Sequence, residues 1–175
     1  KAIRIATCLD EKMLTTADSL PFATWLNALA RSSTADVLVL YVLVVGLSAP
    51  QRCLVHALIQ GRLARGSRVH VLDVNGQLAS YRANYRGLGH VPVLTQVRLN
   101  LHELLPCVDK VLWLDMDLLV LQSLRSLWAV QPATRCGIAA RESLTTTFNR
   151  DHMGSRASLL TSAQRAAINT KGFNA

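Results

Sequence analysis

Two aspartates one residue apart, Asp115 and Asp117, interrupt the apolar stretch VLWLDMDLLV that runs from Val111 to Val120. Val111 to Leu114 reads as a short buried strand, because it is continuous, apolar and flanked by polar residues. Ionised carboxylates at the end of such a strand are costly unless a metal, a cation or hydrogen bonds compensate for lost water. The two share parity along an extended chain, so both point to one face where the strand runs out. Two hard oxygen ligands at the carboxyl end of a strand in an open α/β sheet suit a divalent cation that carries a phosphate-bearing substrate.

Such a pair needs a sheet beneath it. Ile3–Cys8, Val37–Val45, Arg68–Asp73 and Cys136–Ala140 read as further strands, the second rich in β-branched residues and therefore central. Between them, Leu14–Arg31 carries apolar residues at helical spacing with Pro21 as a kink or restart, and Gln51–Arg65 reads as an amphipathic helix ending at Gly66. Val91–Leu105 reads as a helix bounded by Pro92 and Pro106, Ser123–Trp128 as a helical turn, and Leu159–Ile168 as a last helix. Asn75–Gly89 and Thr145–Ser158 read as loops or broken segments. Strands alternating with helices imply an α/β class with a mainly parallel sheet covered on both faces, built as a single domain over residues 1–175.

Bulk properties narrow the classes. Half the residues are apolar and 17% are charged, which describes a globular chain with a real core. Nineteen Lys and Arg against 11 Asp and Glu leave a net charge of +8. The arginines are scattered from Arg4 to Arg165, without a dense run or interleaved aromatics, so they describe a solvated surface rather than a nucleic-acid interface. The longest apolar run, Val37 to Leu47, is too short to span a bilayer, and no signal peptide is visible ahead of the first strand. Cys8, Cys53, Cys107 and Cys136 show no CxxC spacing and the five histidines no ligand pattern, which argues against zinc. Cys8 and Cys136 sit in apolar stretches and read as free buried thiols.

Taken together these segments resemble glycosyltransferase family eight, the retaining GT-A enzymes that use nucleotide-sugar donors. Leu94–Trp128, LTQVRLNLHELLPCVDKVLWLDMDLLVLQSLRSLW, resembles the family's helix with an Arg-Leu pair, its Leu-Pro turn, its Asp-x-Asp strand and a Leu-x-x-Leu-Trp close. The opening IRIATCLDEKML is similar to the first strand and nucleotide loop, and the final GFNA to the Phe-Asn-Ala-Gly segment that begins a later strand.

The resemblance implies a GT-A, Rossmann-like fold, incomplete at its carboxyl end, in which this chain is the donor-binding part. It implies that Asp115 and Asp117, with Met116 between them, hold Mn²⁺ against the donor diphosphate. It places Arg98 near the donor, Asn174 at the donor sugar and acceptor, and Thr7, Leu9 and Asp10 in the loop that grips the nucleoside. The implied partners are a UDP-sugar donor and a carbohydrate acceptor, and no protein nucleophile is assigned. By the same resemblance, eukaryotic relatives act in the Golgi lumen and bacterial ones in the cytoplasm or at a membrane periphery. The sequence departs from the pattern at Gln96, where a Tyr is common, and at Glu142, which is out of register for the family's carboxylate. The family's third metal ligand, a His in a late His-x-x-Gly segment, would fall beyond Ala175, so truncation is expected.

Two other readings compete. A truncated, non-catalytic remnant with weak or no nucleotide binding would share every feature named so far. A phosphatase of the haloacid dehalogenase type also opens on an apolar strand and Asp-x-Asp. That class, however, places the pair near the domain start, with Thr or Val where this chain has Leu119.

Overall fold

A computed structural model of the chain describes residues 2–15, 19–78 and 97–131. The backbone groups into two compact units, Lys1–Val130 and Gln131–Ala175, and all described residues but Gln131 belong to the first. The expected strand Cys136–Ala140, the helix Leu159–Ile168 and Asn174 lie outside the described residues.

Within the first unit the order is β1 (Ile3–Asp10), α1 (Lys12–Thr15), α2 (Ser19–Ser32), β2 (Leu38–Val45), α3 (Ala49–Gln60) and β3 (Arg68–Asp73). A 3₁₀ turn at Arg98–Asn100 then leads into α4 (Leu101–Leu104), β4 (Leu112–Trp113) and α5 (Arg125–Ala129). The described strands form one parallel sheet in the order β3-β2-β1-β4. The chain thus steps outward from β1 to β2 and β3, then returns to the other side of β1. In an open α/β sheet that reversal opens a crevice at the carboxyl ends of the two strands flanking it, here β1 and β4.

Register and burial explain why the sheet is covered twice. Leu38, Leu40, Val42 and Val44 of β2 share parity and enter the larger apolar cluster with Ile3 and Ile5 of β1. Leu43, of opposite parity, enters a second cluster with Cys8, Val74, Leu78 and Val97. Over the first face α2 lays Phe22, Trp25, Leu26 and Leu29, an i, i+3, i+4, i+7 stripe, and α3 lays Val55 and Ile59. Leu101, Leu104 and Trp113 pack against the second. Each fully buried aliphatic or aromatic side chain contributes about 1.5–3 kcal/mol relative to exposure.

Local chemistry sets the helix ends. Ser48 caps α3: its hydroxyl accepts from the Gln51 amide while the Gln51 side chain accepts from the Ser48 N–H at 2.7 Å, with Pro50 in the first turn. The helix therefore starts two residues earlier than the apolar spacing suggests. It stops at Gln60, with the Gly61 N–H bonded back to Ala57, not at Arg65. Leu63 continues the apolar stripe and Gly66 resembles a terminator, but Gly66 (φ +90°) sits in the turn leading into β3. Pro21 lies in the first turn of α2, where its missing N–H is harmless, so it restarts a helix rather than kinking one. Residues 75–78 are helical where a loop is expected, started by Asp73 Oδ1 accepting from the Asn75 N–H.

Candidate functional site

β4 is shorter than its apolar run. Leu112 and Trp113 pair with Ile5 and Ala6 of β1, and the Leu114 N–H adds a bond to the Ala6 carbonyl. Val111, Leu112 and Trp113 are half-buried rather than interior, since among the described strands β4 is the outermost on this side. Beyond Leu114 the chain turns, with the Leu118 N–H reaching the Asp115 carbonyl at 3.3 Å. Asp115 and Asp117 thus stand in a turn at the carboxyl end of β4, not on the strand itself. Burial still alternates: Leu114 and Met116 are buried in the larger apolar cluster, Asp115 is half-buried and Asp117 is exposed. Met116 is thus drawn into the core between two carboxylates that both keep contact with solvent.

The segment after the aspartates is pinned along its length. Met116, Val120 and Leu124 are buried in the larger cluster. At its far end the Ser123 hydroxyl donates to Asp36 Oδ2 at 2.8 Å, Arg125 Nε pairs with Asp36 Oδ1, and an Arg125 amino group donates to the Ala35 carbonyl at 2.7 Å. Asp36 is buried just ahead of β2. The strap therefore begins at the carboxyl end of β4 and is tied down beside the amino end of β2.

Arg98, expected near the donor, is brought by the fold to Asp115. Its Nη1 lies 3.4 Å from Asp115 Oδ2, and its side chain is 22% exposed. The other Asp115 oxygen, Oδ1, accepts from the Trp113 indole N–H at 2.7 Å. Trp113 is not among the residues the sequence singles out for this site. Sharing parity with Asp115 two positions on, it was open to the same argument that pairs Asp115 with Asp117.

β1 supplies the facing wall. Thr7 and Leu9 are fully buried, and Leu9 joins the larger apolar cluster. Among the described residues the Thr7 hydroxyl has no hydrogen-bond partner. Asp10 ends β1, and its Oδ1 accepts from the Met13 N–H at 3.1 Å, which caps α1. Cys8 is buried in β1, two residues before Asp10. Burial pushes its thiol up to about 12, against a backbone hydrogen bond at Leu9 that lowers it, and the charges of Asp10 and Asp115 raise it further. Cys8 is a free buried thiol, as its apolar setting suggests. Asn174 lies outside the described residues.

Among the described residues no group of three or more His, Cys, Asp or Glu side chains comes together as a metal cluster. What this end of the sheet offers is two carboxylates with accessible oxygens, one guanidinium and a capping carboxylate. A carboxylate has about four acceptor positions, and Asp115 uses one on each oxygen. The donor set fits a hard cation that takes its remaining oxygens from a phosphate ligand and water. Asp117 also lines an open hollow of about 340 Å³ with Pro21, Thr24, Trp25, Met116, Leu118 and Leu119.

Residues 68–174 match the sequence profile described as Glycosyl transferase family 8. Among solved structures, the galactosyltransferase LgtC in complex with donor and acceptor sugar analogs is 29% identical with a TM-score of 0.53, covering 74% of this chain and 43% of that one. An active-site mutant of LgtC gives 30% identity and a TM-score of 0.51, covering 74% and 42%. Apo mouse xyloside xylosyltransferase 1 shares the fold at 16% identity with a TM-score of 0.61, covering 81% and 53%. No curated protein matches. The chain spans less than half the length of the LgtC chains.

Proposed function

The chain belongs to glycosyl transferase family 8, and from that premise we propose that its described residues form the donor side of an enzyme transferring a sugar from a UDP-sugar to a carbohydrate acceptor with retention. Membership of this family sets the phosphatase reading aside. The observation that carries the proposal is convergence at the sheet's switch point: Asp10 ends β1, Asp115 and Asp117 follow β4, and Arg98 reaches Asp115 from the preceding helical segment.

In this reading Asp115 and Asp117 supply the anionic oxygens for a divalent cation, Mn²⁺, shared with the donor diphosphate. Such a cation, when bound, stabilises the negative charge that builds on the departing nucleoside diphosphate. Arg98 supplies a charge-assisted hydrogen bond to phosphate or ribose at the same place. The end of β1 presents its main chain and Asp10 to the nucleoside, because the side chains of Thr7 and Leu9 are buried. Asn174 is assigned to the donor sugar and acceptor by family resemblance alone.

Calorimetry of UDP binding, with and without Mn²⁺, tests the proposal on the native chain and on an Asp115→Asn, Asp117→Asn double variant. Binding that requires Mn²⁺ and disappears in the variant is the expected result. No binding by the folded native chain, or equal binding by the variant, overturns the assignment and favours a remnant without a working donor site.

A further inference from the structure

We infer that Trp113 is a positioning residue for the cation site, holding the Asp115 carboxylate in the orientation a metal requires. The inference rests on the reading of Asp115 as a cation ligand and deepens it.

The Asp115 side chain is 43% exposed, enough to rotate if nothing restrained it. Two donors restrain it, one on each oxygen. The Trp113 indole bond at 2.7 Å is the shorter, and the Arg98 contact at 3.4 Å is long for a hydrogen bond. The donors also differ in kind. Arg98 brings a positive charge that competes with a bound cation for Oδ2. The indole is neutral, so it fixes Oδ1 without cancelling the charge that the metal would use. Its own ring is held: β4 pairs Trp113 with Ala6, and the ring packs on the apolar cluster containing Cys8, Leu43 and Val97. An anchor set by the core thus fixes a carboxylate that faces solvent, which is how outer hydrogen bonds orient metal ligands.

The alternative is that Asp115 merely satisfies the indole N–H. Trp25 argues that this fold does not demand such a partner. Its ring is fully buried, yet among the described residues its Nε1 has none. The two readings separate by experiment. Removal of a structural bond lowers stability and leaves the metal affinity of folded molecules unchanged, whereas loss of a positioning bond weakens metal binding in molecules that remain folded.

The test titrates Mn²⁺ in the presence of saturating UDP and reads free Mn²⁺ by electron paramagnetic resonance. It compares the native chain with Trp113→Phe and with a chain carrying benzothienylalanine at position 113, which keeps the bicyclic shape and deletes only the N–H. Circular dichroism confirms folding in parallel. Both variants are expected to bind Mn²⁺ about 10–100-fold more weakly, the range for lost outer-shell partners. Native affinity in the folded benzothienylalanine chain overturns the role of Trp113 while leaving the donor site intact. A native chain that takes up no Mn²⁺ with UDP present overturns the donor-site reading itself, and this inference falls with it.

Discussion

Arg98 and Asp115 meet at 3.4 Å although one opens a 3₁₀ turn on one face of the sheet and the other follows β4. The pair places a positive charge against the carboxylate proposed to bind a cation, so the two have opposite effects on two ligands. Arg98→Ala is expected to raise affinity for Mn²⁺ alone, by removing a competing charge, and to lower affinity for the Mn²⁺–UDP pair about tenfold, by removing a phosphate donor. Both affinities come from the same calorimetric titrations. Stability changes by less than about 1 kcal/mol, because a half-exposed ion pair contributes little. A parallel fall in both affinities would contradict the proposed division of roles.

Among the described residues, Asp36 ties stability to acid. Burial by itself raises its carboxyl, but hydrogen bonds from Arg125 and Ser123 and the Arg125 charge outweigh that and hold it below its ordinary value of 3.8. The folded chain therefore keeps this carboxylate ionised where the unfolded chain has already taken up a proton. In that window the unfolded state binds more protons, so stability falls as pH falls. The contribution is intact above the ordinary carboxylate value and is lost as pH drops through the depressed one. Asp36→Asn should lower stability by about 1.5–3 kcal/mol at neutral pH, and its stability should decline less steeply with acid. Denaturant melts across pH measure both, and an unchanged acid slope would count against a stabilising role for the Asp36 carboxylate.

Thiol chemistry distinguishes the cysteines. Cys53 and Cys107 are exposed, whereas Cys8 is buried in β1 with its thiol pushed up to about 12. Since the thiolate is the reactive form, iodoacetamide at pH 8 should alkylate Cys53 and Cys107 and leave Cys8 untouched until denaturant is added. Peptide mapping by mass spectrometry reads the order. Early labelling of Cys8 would mean that β1 is not the interior strand described above.

Leu29 and Leu121 provide a stability contrast. Leu29 is fully buried under α2, while Leu121 is 86% exposed on the strap. Leu29→Ala should cost about 2–5 kcal/mol, through lost transfer energy and the cavity left behind. Leu121→Ala should stay within about 0.5 kcal/mol. Urea midpoints compare them directly.

Much of this was legible because it depends on short-range pattern. β1, β2 and β3 are apolar or β-branched runs, and β2 and β3 appear within a residue of their expected bounds. Asp115 and Asp117 announce themselves as charges among apolar neighbours. Ends were less legible, since they are decided by single hydrogen bonds: α3 begins at the Ser48 capping box and halts at Gly61, although its apolar stripe runs on to Leu63. Illegible altogether were contacts between distant segments. Asp36 looks like a turn residue until Ser123 and Arg125, far along the chain, are folded against it. That Trp113 reaches Asp115, rather than only filling space, depends on where the pleat of β4 ends and the turn begins.

The strand order also sets a timetable for folding. β4 pairs with the strand that opens the chain, Ile5 with Leu112 and Ala6 with Trp113, and every other described element lies between them in sequence or follows. During synthesis, β1, β2 and β3 are available to one another long before β4 emerges, so the acidic turn is assembled by the closure of a very long loop. Contacts of such high sequence separation form slowly. Refolding followed at Trp113, which pairs directly with β1 across that loop, should therefore lag behind refolding followed at Trp25, whose cluster draws mostly on α2, α3, β1 and β2 even though Met116, Val120 and Leu124 also join it.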